Sequence, residues 1–282
     1  MSIPPGLLQG IERLDPLPVT LQRLVGALND ERVGALQIGE HVQYDPAVAA
    51  TLLKVANSAA YGGWSRTETL RDAVMRLGKA RVLDIVLGDH LRRMRVSAPM
   101  YDLAEGELWV HSAAASLAVK AIARDRPRMG IPESASVAAL VHDVGKLVMV
   151  RFLKADVSAI LAVRERDQVS FVQAERVLFG CDHAQVGGAI ARRWGFPADI
   201  QEAVARHHES PIEESTPTLD AVVVANVAAK TIGTGLGAEG MDICPDEGCL
   251  DRLDLDFDAF ARVCDQTHVW LRELKTAYEV KP

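Results

Sequence analysis

A surplus of basic residues is missing: Lys and Arg number 31 against 38 Asp and Glu, a formal charge of -7. Proteins that hold nucleic acid through its phosphates concentrate the opposite charge, so no nucleic-acid partner is expected. Long apolar runs are missing as well. No stretch approaches the roughly 18 consecutive apolar residues of a membrane-spanning helix, and the opening MSIPPGLLQG has neither the basic nor the apolar region of a secretion signal. The expectation is a cytoplasmic protein with no membrane association. Cysteine is sparse. Cys181, Cys244, Cys249 and Cys264 are irregularly spaced, which in a chain without an export signal points to reduced thiols rather than disulfides. Cys244 and Cys249 have no second pair to complete a zinc set. Aromatic residues make up only 5% of the chain, and alternating Val/Ile/Thr runs bounded by turns are hard to find, which argues against a β-rich fold.

Ala and Leu at helical spacing dominate instead. With 282 residues, 49% apolar and 24% charged, the chain has the composition of an ordinary globular protein. At roughly 150 residues per domain it should form one large or two modest domains. The fold class expected is all-α. Asp45 can accept from the free N–H groups of a first turn, and Pro46 suits the first helical position. A helix from there reaches Asn57-Ser58-Ala59 and stops at the pair Gly62-Gly63. Gly78 closes a short amphipathic helix running from Leu70 to Leu77. Asp182 with Gln185 three residues on is an N-terminal capping pair that puts His183 in a first turn.

Helices are thus expected at about 18–29, 33–43, 46–57, 69–77 and 79–94, then at 107–124, 134–150, 156–166, 170–178, 183–194, 198–208 and 218–231, with a last one near 257–279. Periodicity breaks between Arg95 and Glu105. The organisation read from this is an N-terminal extension over 1–16, a helical subdomain over 17–95, a helical core over 105–231, and a C-terminal part over 232–282 that begins with a polar, Gly-rich connection at 233–248.

Eight histidines occur, at 41, 90, 111, 142, 183, 207, 208 and 268. His142-Asp143 follows the apolar run Val137-Ala138-Ala139-Leu140-Val141 and precedes Val144-Gly145-Lys146-Leu147-Val148. Polar groups in such surroundings need partners, because a buried one left alone costs on the order of 2–7 kcal/mol. Taken alone, the pair fits a structural hydrogen bond as well as a metal site. Imidazole and carboxylate suit Zn, Fe, Mn or Ni, and an aspartate can bridge two ions. Lys146 lies four residues after His142 and three after Asp143, on the same helical face, where a cation suits a phosphate oxygen.

The order His111, His142-Asp143-x-x-Lys146, His183, His207-His208 resembles the HD superfamily of metal-dependent phosphohydrolases. Leu52-Leu53-Lys54-Val55-Ala56-Asn57-Ser58, Ala73-Val74-Met75-Arg76-Leu77-Gly78, Glu107-Leu108-Trp109-Val110-His111-Ser112 and Leu140-Val141-His142-Asp143-Val144-Gly145-Lys146 are similar to its bacterial HDOD branch. The resemblance covers roughly residues 15 to 230. It implies a small N-terminal helical bundle packed on an HD-like core, and a bacterial signalling or regulatory role, since many HDOD modules have lost ligands and hydrolase activity. By analogy with binuclear relatives, His111, His142 and Asp143 would hold one divalent ion, and Asp143 would bridge to a second held by His183, His207 and His208.

Two departures stand out. The superfamily closes the first ion's shell with an aspartate on the last core helix, where this chain has Asn226, whose amide oxygen carries no charge. Asp220 is about 120° away around an ideal helix and is a poor substitute. After His207-His208 the chain reads Glu209-Ser210-Pro211-Ile212, without the Gly-rich loop of the superfamily's cyclic-dinucleotide phosphodiesterases, which sets that activity aside. The expected function is signal transduction through protein contacts, with one or two ions of Fe, Mn, Zn or Ni and a small phosphate or nucleotide as ligand. The alternative is a phosphohydrolase in which Asp143 and Lys146 act on a nucleotide or phosphate ester.

Outside this pattern, His41, His90 and His268 are read as surface or packing residues, and Trp64, Trp109 and Trp194 as core or interface anchors. Arg92-Arg93-Met94-Arg95, with Arg124, Arg126 and Arg128, is read as solvated positive charge at helix ends. Asn57-Ser58 fits a helix cap and a junction with the core equally well.

Overall fold

The computed structural model describes residues 3–30, 32–43, 45–57, 66–94, 96–153, 156–209, 212, 214–240 and 247–277. Ser58, Ala59, Gly62, Gly63, Trp64, Arg95, Ser210, Pro211 and Cys244 lie outside them.

Helix starts follow the polar and proline signals. The helices are α1 (Pro5–Glu12), α2 (Val19–Leu28), α3 (Ala35–Val42), α4 (Pro46–Ala56), α5 (Leu70–Leu77) and α6 (Lys79–Arg93), then α7 (Glu107–Asp125), α8 (Ala135–Val141), α9 (Gly145–Phe152), α10 (Val157–Asp167) and α11 (Phe171–Phe179). They continue as α12 (His183–Arg193), α13 (Ala198–Arg206), α14 (Pro217–Thr231), α15 (Glu247–Arg252) and α16 (Phe257–Ala277), with 3₁₀ turns at Pro99–Tyr101 and Pro127–Met129. Asp45 Oδ1 accepts from the N–H of Val48 at 3.1 Å, and Asp182 and Gln185 form the reciprocal box at the head of α12. The fold is all-α; among the described residues extended pairing is limited to the single bridge between Ala98 and Leu103.

Helices α7 and α14 are apolar around nearly their whole circumference, the pattern of helices enclosed by others. Residues from Leu108 to Ile122 and from Thr218 to Lys230 are almost all buried. The two pack on each other, and α8 and α16 close on α7. Trp109 ties α7 to α6 by donating from Nε1 to the Gly88 carbonyl at 2.8 Å. Asn57 acts as a cap and clamp: its amide donates to the Leu53 and Thr67 carbonyls and accepts from the Thr67 N–H. Cys181, Cys249 and Cys264 are free thiols.

The continuous helix expected over 134–150 is broken. Three i to i+3 bonds, from Val144 to Val141, Lys146 to Asp143 and Leu147 to Val144, make a tight turn at His142-Asp143-Val144 between α8 and α9. Gly145 is the reason the turn is tolerated. A Cβ there would stand 1.9 Å from the His183 carbonyl oxygen, so only glycine lets α9 begin against α12. Likewise α13 ends at Arg206, leaving His207 and His208 in the turn beyond it rather than in a helix reaching 208. The segment read as an N-terminal extension contains α1, which packs on α9 and α12.

A candidate metal centre

Breaking the backbone at His142-Asp143 and at His207-His208 turns four side chains out of helical register and into one space bounded by α7, α8, α12 and α13. Ring orientation is fixed from behind. The Nδ1–H groups of His142, His207 and His111 donate to the carbonyls of Ala139 at 2.6 Å, Val204 at 2.8 Å and Thr234 at 3.2 Å. A carbonyl oxygen only accepts, so each Nδ1 holds a proton, and Nε2 is the nitrogen of the neutral ring left to bind an ion. His111 Nε2 and His142 Nε2 then face each other at 3.2 Å as two lone pairs, an arrangement that calls for a cation between them. Asp143 Oδ2 lies 3.6 Å from the first and 3.5 Å from the second.

The other oxygen of Asp143 serves a second group. Oδ1 is 3.2 Å from His183 Nε2 and 3.7 Å from His207 Nε2, and His208 Nε2 is 3.0 Å from His183 Nε2. Two donor sets therefore share Asp143: His111, His142 and Asp143, and Asp143, His183, His207 and His208. His183 is held from behind by Glu175, whose Oε2 accepts from Nδ1 at 2.8 Å. Tyr101 donates from its hydroxyl to the other Glu175 oxygen at 2.5 Å.

Charge is arranged to match. Burial alone would raise the Asp143 carboxyl, but Lys146 and the neighbouring rings hold it well below the usual carboxylate range. Burial pushes His111 down to about 4 and His142 and His208 well below the ordinary imidazole value, so all three are neutral donors. His183 is the exception: burial disfavours its charge, yet Glu175 and Asp143 on either side carry it up to about 10. Lys146 Nζ lies 2.9 Å from Asp143 Oδ2 and 2.8 Å from Glu239 Oε1. Burial works against its charge, and these two carboxylates more than restore it.

The residues fit a metal ion. His207 Nε2 and Asn226 Oδ1 are buried without a hydrogen-bond partner, and Asp143 Oδ1 makes none of good geometry although His183 Nε2 is close. Each such group costs about 1–3 kcal/mol if left so. The mixture of imidazole nitrogen and carboxylate oxygen suits Zn, Fe, Mn or Ni.

Of the residues singled out in the sequence, the structure brings His111, His142, Asp143, Lys146, His183, His207 and His208 together. Asn226 is buried on α14, the helix packed on His111's own α7. Asp220 is used elsewhere, accepting from Arg252 on α15 and from Ser215. His41, His90 and His268 belong to no such group among the described residues. Arg92 and Arg93 pair with Asp89. Sequence reading missed Glu175, Tyr101, Lys230 and Glu239. Glu175 was legible, as a charged residue on the apolar stripe of Phe171, Val172 and Ala174. Glu239 was not, because it stands in a glycine-rich connection with no period.

An all-helical chain with histidines and one aspartate converging in two overlapping donor sets defines an HD-type helical module. The chain belongs to the HDOD family, whose domain model matches residues 14–210. It is similar to an HDOD domain protein of unknown function from Geobacter sulfurreducens, with a TM-score of 0.72 and 26% identity over 94% of this chain and 93% of that one. It also shares its fold with two proteins provisionally named for their roles. One is a signal-transduction protein of Marinobacter aquaeolei VT8, with TM-score 0.69 and 22% identity, covering 94% of this chain and 64% of that one. The other is a phosphohydrolase of Shewanella amazonensis SB2B, with TM-score 0.63 and 21% identity, covering 93% and 98%. An uncharacterized protein of Treponema pallidum (strain Nichols) is 24% identical over 231 residues, 78% of this chain and 43% of that protein. The chain thus spans less than half the length of that relative. No helix among the described residues is long and apolar enough to cross a membrane.

Proposed function

We propose that the chain is a bacterial, cytoplasmic signal-transduction protein whose buried centre binds a divalent metal and which acts through contacts with a signalling protein, the small bundle over 17–95 packing on the core over 105–231. One observation carries the choice of binding over turnover: the centre is closed. His111, His142, Asp143, Lys146, His183 and His207 are each at most 3% exposed, and His208 alone of the donors is partly open.

The ion would be held by His111, His142 and Asp143, with Asn226 on the adjoining α14 as a further candidate, or by Asp143, His183, His207 and His208. When bound it supplies Lewis acidity and positive charge. Everything else falls to the chain. Glu175 orients His183, the carbonyls of Ala139, Val204 and Thr234 fix the other rings, and Lys146 holds a phosphate-bearing ligand. Formal charge favours a single ion. Without metal, the carboxylates of Asp143, Glu175 and Glu239 are balanced by Lys146, Lys230 and a protonated His183. A divalent ion that displaces the His183 proton leaves one net positive charge; a second would meet Asn226 where a carboxylate is needed.

The near-complete donor set supports a second reading, a metal-dependent phosphohydrolase acting on a nucleotide or phosphate ester. Metal analysis of the purified protein, followed by hydrolysis assays on phosphate esters with added Mn or Fe, separates the two. Bound metal without turnover is the expected result. Turnover that disappears in Asp143→Ala would replace it with the phosphohydrolase.

A further inference from the structure

The connection after α14 lies on the centre as a fitted strap. Thr234 donates its hydroxyl to the Ala229 carbonyl at 2.7 Å, while its own carbonyl accepts from His111. Gly237 runs so close to Tyr101 that a Cβ there would stand 2.2 Å from the Tyr101 carbonyl oxygen, and the next N–H, of Ala238, donates to that same oxygen at 2.8 Å. This anchoring drives Glu239 inward. Its carboxylate is only 5% exposed, with Oε1 2.8 Å from Lys146 Nζ and Oε2 2.6 Å from Lys230 Nζ. Two ammonium groups, one on each oxygen of a buried anion and one of them in contact with Asp143, are the donor arrangement a phosphate group would use.

We infer that Glu239 is a built-in anion occupying the phosphate position of the centre, so that the 232–240 strap must lift from Tyr101 before a phosphate-bearing ligand reaches Lys146 and Lys230. The inference rests on reading Lys146 as the anion-holding residue beside the metal. It assigns Lys230 to the same ligand as a second contact and makes the strap the element whose movement regulates binding. A phosphate in place of Glu239 keeps both lysines paired; removing the carboxylate alone leaves them facing each other's charge, which is what the ligand would relieve.

The test is calorimetric titration of inorganic phosphate into the wild-type chain, Glu239→Gln and Gly237→Ala, with and without Mn, alongside metal analysis of each. Glu239→Gln removes the competing charge; Gly237→Ala keeps every charge and pushes the strap off Tyr101. Both variants should bind phosphate about tenfold more tightly than wild type, and the gain should vanish when Lys146→Met is added to Glu239→Gln. Equal affinity in all three proteins, or a gain that survives Lys146→Met, overturns the inference. Helical circular dichroism confirms that each variant folds, and Gly237→Ala alone decides the matter if Glu239→Gln does not. Absence of any divalent metal from every protein, with no uptake of added Mn, would sink the metal reading by itself, because the phosphate comparison without metal still stands or falls on its own.

Discussion

Asp143 has two oxygens and divides them. Oδ2 faces His111, His142 and Lys146, and Oδ1 faces His183 and His207. Among the described residues Asp143 is the member common to both donor sets, so the remaining side chains matter according to how firmly they aim at it. Glu175 is the sharpest case, since it fixes the His183 ring without reaching the ion. Groups behind a ligating histidine typically contribute about 10–100-fold to metal affinity. Glu175→Gln should therefore weaken Mn or Zn binding by that factor in an isothermal titration while leaving the helical circular dichroism signal intact. Asn226→Asp should do the reverse. A carboxylate there adds negative charge on the helix packed against His111's own α7, and the expected gain in ion affinity is about tenfold; an unchanged affinity would show that Asn226 stands too far from the ion to matter. His142 and Asp143 could be read from the sequence as polar residues inside an apolar run, whereas His111, His183, His207 and His208 were legible through the order in which they follow one another and its resemblance to a known family. Three of the histidine rings' four partners in orientation could not be read, because they are backbone carbonyls, which carry no signature of residue type.

At the scale of the element, the breaks matter more than the helices. Apolar periodicity located α7, α12 and α14 to within a residue or two, yet it ran straight through His142-Asp143, since a tight turn inside an apolar run leaves the pattern of apolar side chains unaltered. The information that breaks it sits in Gly145, whose role appears only when α12 is brought against it. Gly145→Ala should cost about 1–3 kcal/mol, the usual range for overpacking, read as a lower urea midpoint at constant slope. A second element-level effect lies where α16 crosses α7. Lys120 Nζ sits 4.6 Å from the centroid of the Trp270 ring, and burial, with help from Arg81, lowers its pKa from 10.5 to about 7. Between those two values the unfolded chain binds a proton that the folded chain does not, so stability rises with pH across that window. Lys120→Met should flatten that part of the urea-unfolding profile relative to wild type, with its largest gain in stability at or below neutral pH.

On the scale of the whole molecule, helices distant in sequence form a closed shell around a charged interior. The sequence conveyed the shell, because an all-α chain rich in Ala and Leu with two helices apolar around most of their circumference has few other ways to bury them. It conveyed the interior only in part: Lys230 and Glu239 are separated by a connection whose path depends on Tyr101, and no local pattern encodes that meeting. Because an ion would bind the folded chain and not the unfolded one, it should stabilise the protein globally, by about 2.7 kcal/mol at a hundredfold excess over the dissociation constant. Differential scanning calorimetry with Mn or Fe should show a higher melting temperature, and Asp143→Ala should abolish the shift.

The near-total enclosure of the donors also governs time. An ion reaching them would leave only when the shell opens, so its residence would be set by the frequency of that opening rather than by the strength of its bonds. Exchange with a chelator such as EDTA would then proceed at one rate whatever the chelator concentration. Between openings the chain would keep the ion it had captured, so its load would lag behind a change in metal supply by the time the shell takes to open.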